Sequence, residues 1–433
     1  MFSKKGMTLD ALTSAVQTRR MTRRVFFERA AAFGLSSSVA AAALAACGGS
    51  STASSSSGPI TLKVWDYFNP PGQGFMGLLN GYSKVNPSVK LQNTSIPFAD
   101  LKQKLLQGTA SGQLPDIVVI DNPDHSAFAA MGVLADLTEQ ISAWGKADQY
   151  FDGPWKSTMW KGKNYGVPNN SNCLALYYNK DMFQKAGVTP PTNWDEMHSA
   201  ARKLTKNGVY ALSMSLVKSE EGTFQFLPFL WEAGADLDTI GSSQAISALQ
   251  YLVTFTKEGL LSTESLNWTQ QDAITQFIAQ KAAMCINGPW NLPPVQQGAK
   301  FTWGVVPLPK NQQSASILGG ENWAISKTSS HVKEAWDFIQ WTQDQAQLSS
   351  YIITDVRLPS VKSFAKDQAF QKDPNLAVFA DSLLTAKPRA YGPNYPKISN
   401  AVQQAFQSAI SGQATPAAAL GQAEQTIKPL LPS

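Results

Sequence analysis

Pro115-Asp116-Ile117-Val118-Val119-Ile120-Asp121 is a short, unbroken aliphatic run between turn residues. A strand with one wet face alternates apolar and polar residues. A continuous run this short is a strand covered on both faces, the mark of a parallel sheet. Before it, Ile60-Thr61-Leu62-Lys63-Val64-Trp65 alternates as a strand does, and Val89 to Ile96 is a second strand. Phe75 to Asn86 reads as a helix stopped at Asn86-Pro87, and Ala99 to Ser111 as a helix ended by Gly112. Strands alternating with helices predict an α/β sheet.

The pattern continues in a second unit. Cys173 to Tyr178 is a strand, and Lys180 to Gly187 a short helix. Thr192 with Asp195 has the form of a capping box that opens a helix to Asn207. Ser243–Glu258 and Gln271–Gln280 read as helices, the second leading into the strand Ala282–Asn287. Trp303–Val306 and Gly320–Ile325 are expected to return to the first unit as strands, followed by helices over Val332–Tyr351 and Lys397–Ile410. A chain of 433 residues is long for one core and suits two domains.

Charge is unevenly placed. The net charge of +5 sits in residues 1–46, which hold seven basic and two acidic groups; the remainder carries 29 of each sign. The body has three arginines, Arg202, Arg357 and Arg389, and no basic run, which excludes a nucleic-acid-binding surface. Arg23-Arg24 before Val25-Phe26-Phe27 resembles a twin-arginine signal, with an ordinary secretory signal as the alternative. Met21 directly precedes it, so the start is expected at Met1 or Met21. The uncharged, Ala-rich stretch Ala30–Ala46 ends in Leu44-Ala45-Ala46-Cys47, which resembles a bacterial lipobox. Cleavage before Cys47 and its lipidation would anchor the chain to a membrane, and Gly48–Gly58 is a Gly/Ser tether.

Several landmarks carry a family resemblance: Leu114-Pro115-Asp116-Ile117-Val118; Tyr165-Gly166-Val167-Pro168; Tyr177-Tyr178-Asn179-Lys180-Asp181; Asn287-Gly288-Pro289-Trp290; Pro307-Leu308-Pro309; Gly319-Gly320; and Leu358-Pro359-Ser360. In this order, after a lipoprotein-type leader, the body resembles family 1 extracellular solute-binding proteins, the group of the maltose- and trehalose-binding proteins of ABC importers. The resemblance implies the two-lobed α/β fold of type II periplasmic binding proteins, with an interlobe cleft and a hinge. Lobe 1 is expected over 59–168 with a return at about 303–345, and lobe 2 over 169–302 with a C-terminal segment at about 346–433. It also implies a monomer that delivers a carbohydrate to the transmembrane subunits of an ABC permease, with neither cofactor nor catalysis. A secreted glycosidase and a binder of a non-sugar solute on the same fold are the competing readings. No carboxylate pair is singled out for the first, and neither clustered Arg nor clustered His supports an anion or metal specialist.

A sugar presents hydroxyls and an apolar ring face, so its site needs carboxylates or amides and an aromatic platform. Trp290, on the sharp turn after Ala282–Asn287, is the leading platform, and the resemblance implies that it stacks on sugar. Asp121 closes its strand where α/β sheets bind ligands. Asp116 is read as a structural cap. Gly319 and Gly320 offer close backbone approach beside Glu321, a candidate carboxylate. Arg357 is either a ligand contact, as the resemblance implies, or part of a structural ion pair. Trp65, Tyr67 and Asn69 follow the first strand, and Asn169 and Asn170 follow the first crossover. Trp231 is a second platform or a core residue, and Tyr391 a further candidate. Cys173 and Cys285, in apolar strand patterns, are either two buried thiols or a disulfide.

Overall fold

Ile117, Val118 and Val119 are fully buried and Ile120 nearly so. Their strand has a neighbour on each side, as an aliphatic run without alternation demands. The computed structural model describes residues 59–68, 70–364 and 368–432. The leader 1–46, Cys47, the tether 48–58 and Asn69 lie outside the described residues.

Along the chain, β1 (Ile60–Asp66), β2 (Val89–Ser95), β3 (Ile117–Asp121), β4 (Met159–Trp160), β5 (Lys163–Asn164) and β6 (Gly166–Pro168) come first. Then follow β7 (Ala175–Asn179), β8 (Tyr210–Ser213), β9 (Ala282–Asn287), β10 (Trp303–Val306), β11 (Ser316–Leu318), β12 (Glu321–Ile325) and β13 (Ala386–Pro388). The described residues divide into two units, one of residues up to Asn169 with Glu321–Asp355, the other of Asn170–Gly320 with the residues from Val356 on.

The first unit is built on a five-stranded sheet in the order β2-β1-β3-β12-β6. β1 runs parallel to both β2 and β3, while β12 is antiparallel to β3 and β6. Helices Gln73–Val85 and Phe98–Ser111 make the crossovers, the latter ended by Gly112 in a left-handed cap (φ 72°). Leu101 and Leu105 pack with Val118 and Ile120 in one core cluster. Phe75 stacks on Trp323 of β12 at 5.7 Å. Asp116 accepts from the Lys63 N–H (2.9 Å) and the Ser329 hydroxyl (2.6 Å), tying two segments together.

The second unit has a four-stranded sheet, β10-β7-β9-β8, and a parallel pair, β11-β13. Its core joins Leu174 and Leu176 to helices Trp194–Leu204, Glu220–Glu232, Ser243–Lys257 and Tyr395–Ile410. Cys173 and Cys285 are buried free thiols in this unit. Burial raises both thiols, Cys285 to about 12, so both stay protonated at neutral pH.

Four expectations need correction. Trp303–Val306 does not return to the first unit: β10 pairs with β7 from Trp303↔Asn179 to Val306↔Leu176, and the return comes at Glu321. The stretch after 345 also stays with the first unit as far as Asp355. Val332–Tyr351 is two helices, Val332–Thr342 and Gln345–Thr354, because Asp344 takes an extended backbone (ψ 143°) and starts a new one. The helix cap at 192–196 is displaced by one residue. Asn193 accepts from Glu196 N–H, while Glu196 reaches back to the N–H and hydroxyl of Thr192, each at 2.8 Å.

Candidate functional site

In the first unit, β3 and β12 bring two carboxylates together. Asp121 stands directly opposite Glu321 in the antiparallel register. Both are buried, at 8% and 4% exposure. Like charges directly opposite repel, so the pair needs donors to be tolerated. Tyr67 supplies one: its hydroxyl donates to Glu321 Oε1 at 2.8 Å. Glu321 Oε2 is buried without a hydrogen-bond partner. The turn that carries Tyr67 is fixed by fully buried Asp66, which accepts from Phe68 N–H (2.6 Å) and the Ser95 hydroxyl. Burial raises the Asp66 carboxyl, and the bonds from Asn93, Phe68 and Ser95 oppose that rise.

In the second unit, Trp290 sits on a locked turn. β9 ends in Asn287, whose Oδ1 accepts from Gly288 N–H (3.0 Å) and Asn291 Nδ2 (2.7 Å). Its Nδ2 donates to the Gln270 carbonyl (2.8 Å), and the Tyr177 hydroxyl holds the Gly288 carbonyl (2.7 Å). The half-buried indole folds back over Gly288: a Cβ there would meet the ring at 1.9 Å. Phe224 lies beside it, ring centroids 6.4 Å apart and planes at 45°. Behind Phe224, the Arg389 guanidinium stacks 4.7 Å from its centroid and donates to Glu220 (2.6 Å), which also accepts from the Tyr395 hydroxyl. The Asn172 side chain crosses Gly319, where a Cβ would lie 2.0 Å from Asn172 Oδ1 and 2.8 Å from Phe224. Asn172 Oδ1 is buried without a hydrogen-bond partner.

The second unit thus holds an aromatic surface beside an amide oxygen, and the first unit, by itself, a buried carboxylate pair. Among the described residues no cluster of His, Cys, Asp or Glu has the form of a metal site.

The sequence model of the family described as bacterial extracellular solute-binding protein matches residues 78–378, well over half of the chain. The chain belongs to the bacterial extracellular solute-binding protein family. A putative binding protein of Brucella abortus is 24% identical over 375 residues, covering 84% of this chain and 91% of that one. The multiple sugar-binding protein of Streptococcus mutans is 25% identical over 344 residues, covering 71% and 77%. Among solved structures, an ABC transporter solute-binding protein of Thermotoga lettingae bound with α-D-tagatose superposes with a TM-score of 0.79 at 25% identity, over 86% of this chain and 100% of that one. The fold is accordingly the two-lobed, maltose-binding-protein-like α/β fold.

In this solute-binding protein the residues singled out from the sequence fall into distinct places. Asp121 and Glu321 face each other, whereas Trp290, Gly319, Gly320, Asn170 and Arg357 belong to the second unit. Gly320 has φ 130°, and a Cβ would lie 2.3 Å from the Asn170 carbonyl, so the backbone itself requires glycine there. Asn169 and Asn170 are both buried. Arg357 is half-buried.

Trp231 is no second platform. It is fully buried in the core, and its indole N–H donates to Asp236 at 3.0 Å. Tyr391 donates to the same carboxylate. Trp65 packs against the cluster around Leu101, with Lys104 Nζ 5.3 Å from its ring centroid. Phe224 and Asn172 were missed. Phe224 lies in the aromatic-rich stretch Phe224–Trp231, where nothing distinguishes it from core residues, and only the packing against Gly319 picks out Asn172.

Proposed function

We propose that this protein captures a neutral carbohydrate outside the cytoplasm and delivers it to the membrane subunits of an ABC importer. The observation that carries this reading is the half-buried Trp290 ring on its locked turn, with Phe224 beside it and the Asn172 amide next to Phe224. A sugar ring offers an apolar face to indole and hydroxyls to amides and carboxylates. Asp121 and Glu321 supply acceptors for hydroxyl protons, Glu321 Oε2 being buried and unpaired. The ligand is read as neutral because the body has only three arginines, and two of them are engaged by carboxylates. Arg202 is bonded twice to Glu258 (2.7 Å each), and Arg389 to Glu220. The sugar-binding relative of Streptococcus mutans and the tagatose-bound structure support the same chemistry. Export by the 1–46 leader and anchoring through lipidated Cys47 complete the proposal.

The test is a thermal-shift screen against maltose, maltotriose, lactose, raffinose, trehalose and free hexoses, followed by calorimetry on the hits. A saturable shift with a neutral sugar is expected. A shift only with peptides, polyamines or phosphorylated solutes would remove the carbohydrate assignment. Product release from an oligosaccharide would favour the hydrolase reading that paired carboxylates also permit. For the anchor, mass spectrometry of the mature N-terminus is expected to find diacylated Cys47, and Cys47→Ala to release the protein from membranes.

A further inference from the structure

The chain passes between the two units three times, and each passage is short. In the first, Asn169 is held in its unit by its N–H on the Glu321 carbonyl (2.7 Å), and Ser171 in the other by its pair with Leu358 (2.8 and 3.0 Å). Only Asn170 lies between. In the second, Gly319 is paired with Asn172 (2.9 and 3.1 Å) and Glu321 with Asp121, leaving Gly320.

The third passage is built differently. Asp355, its last residue in the first unit, grips the start of helix Gln73–Val85. Oδ1 accepts from Gly74 N–H (2.7 Å) and Oδ2 from Phe75 N–H (2.8 Å). Gly72, at the helix N-cap, has no side chain to offer; a Cβ there would lie 2.3 Å from the Asp355 carboxylate. On the far side, Leu358 is fixed by Ser171, and the Ser360 and Ser171 hydroxyls bond at 2.9 Å. Val356 and Arg357 lie between these anchors, and Val356 has φ 51°. For a β-branched residue that left-handed backbone is an outlier. Such conformations persist only where the flanking structure over-determines them, and they gather at switching segments.

We infer that Val356 is a strained pivot, held in its left-handed backbone by the grip of Asp355 on the Gly74–Phe75 helix start and by the Leu358–Ser171 pair, and loading the third passage so that the chain turns there more readily than a relaxed residue would allow. Hinges are a few residues at element ends that absorb large backbone changes, and strain lowers the cost of leaving the starting conformation. The inference holds whichever solute is bound.

All tests use ligand-free protein, so they stand apart from the carbohydrate reading. Val356→Gly and Val356→Ala are compared. At a negative φ alanine is the more stable of the two; at a left-handed residue glycine is. The glycine variant is expected to melt about 2–4 °C above the alanine variant, and the reverse order would overturn the inference. Exchange of the Ser171 and Leu358 amides is expected to be about five- to tenfold slower in Val356→Gly than in Val356→Ala, while the sheet-centre amides of Val118 and Met284 differ far less; equal exchange at the anchors would also overturn it. Finally, Asp355→Asn should lower the melting temperature more in the Val356→Gly background than in the wild type, because only in the wild type does loosening the grip also release strain. Additive shifts would separate the grip from the strain and defeat the inference.

Discussion

The Tyr67 hydroxyl donates to Glu321 Oε1 across 254 positions of sequence, at 2.8 Å, and leaves Oε2 of the same carboxylate buried and unpaired. A bare buried carboxylate oxygen costs free energy in the empty protein and accepts a ligand hydroxyl at little further desolvation. Glu321→Gln is therefore expected to keep or raise the melting temperature while weakening sugar binding about tenfold or more, since a charged acceptor becomes an amide. Tyr67→Phe should destabilise by about 1–3 kcal/mol by leaving Oε1 bare as well. Calorimetric titration and thermal melts of the two variants check this. Equal affinity of Glu321→Gln and the wild type would remove Glu321 from the site.

Trp290 is expected to act through its ring face. Trp290→Ala should weaken sugar binding about 30-fold, the equivalent of roughly 2 kcal/mol of lost aromatic burial. Trp290→Phe should recover part of that loss. Stability should change little, because the indole is half-buried and covers a glycine. Asn287→Ala tests the positioning of the ring. It removes the acceptor shared by Gly288 and Asn291, so it should weaken binding although Asn287 is fully buried. Isothermal titration of the three variants decides; full affinity in Trp290→Ala would refute the platform.

What was legible in the sequence follows from which signals are local. The strand Ile117–Asp121, the glycine stop at Gly112 and the turn at Asn287–Trp290 are each written within a few residues. The direction of Trp303–Val306 is not. Its apolar residues suit any sheet, and only pairing with Tyr177 and Tyr178 assigns it to the second unit. The same limit hid Phe224 and Asn172, whose surroundings are made by Gly319 and Arg389, far off in the chain. In the sequence Trp231 is open between platform and core, and the structure takes the core alternative. An indole among aromatics has the look of a platform, yet the Asp236 carboxylate that satisfies its N–H holds it in the core.

His125 is expected to make the first unit acid-sensitive. The imidazole is fully buried between the Asn122–Ala130 helix and Gly166, where a Cβ would lie 2.7 Å from its Cε1. Neither ring nitrogen has a well-aligned partner. Burial pushes its pKa down to about 3, with the Tyr165 backbone partly opposing. Unfolded histidine binds a proton near its ordinary pKa of about 6.5, so from there down to about 3 the unfolded chain is the more protonated state and stability falls. Between pH 7 and 4.5 this amounts to about 2–3 kcal/mol. Urea melts should show His125→Leu losing that much less stability over the interval than the wild type. Parallel pH profiles would mean that His125 does not titrate on unfolding.

Glu232 should show the opposite sign. Its side chain is buried in the second unit; Oε2 accepts from the Trp194 indole N–H at 2.8 Å, and Oε1 has no partner. Burial holds the carboxyl well above its usual range, the Trp194 bond pulling the other way. A raised carboxyl is favoured in the fold as the neutral acid. The wild type therefore loses stability as pH rises through the ordinary glutamate range of about 4.3 and goes on losing it until the folded group itself ionises. Glutamine carries no such proton. Glu232→Gln should match the wild type near pH 4 and exceed it in melting temperature at pH 7, with the gap widening between the two. A glutamine variant less stable at pH 7 would mean that Glu232 is ionised in the fold and that the Trp194 bond stabilises the anion.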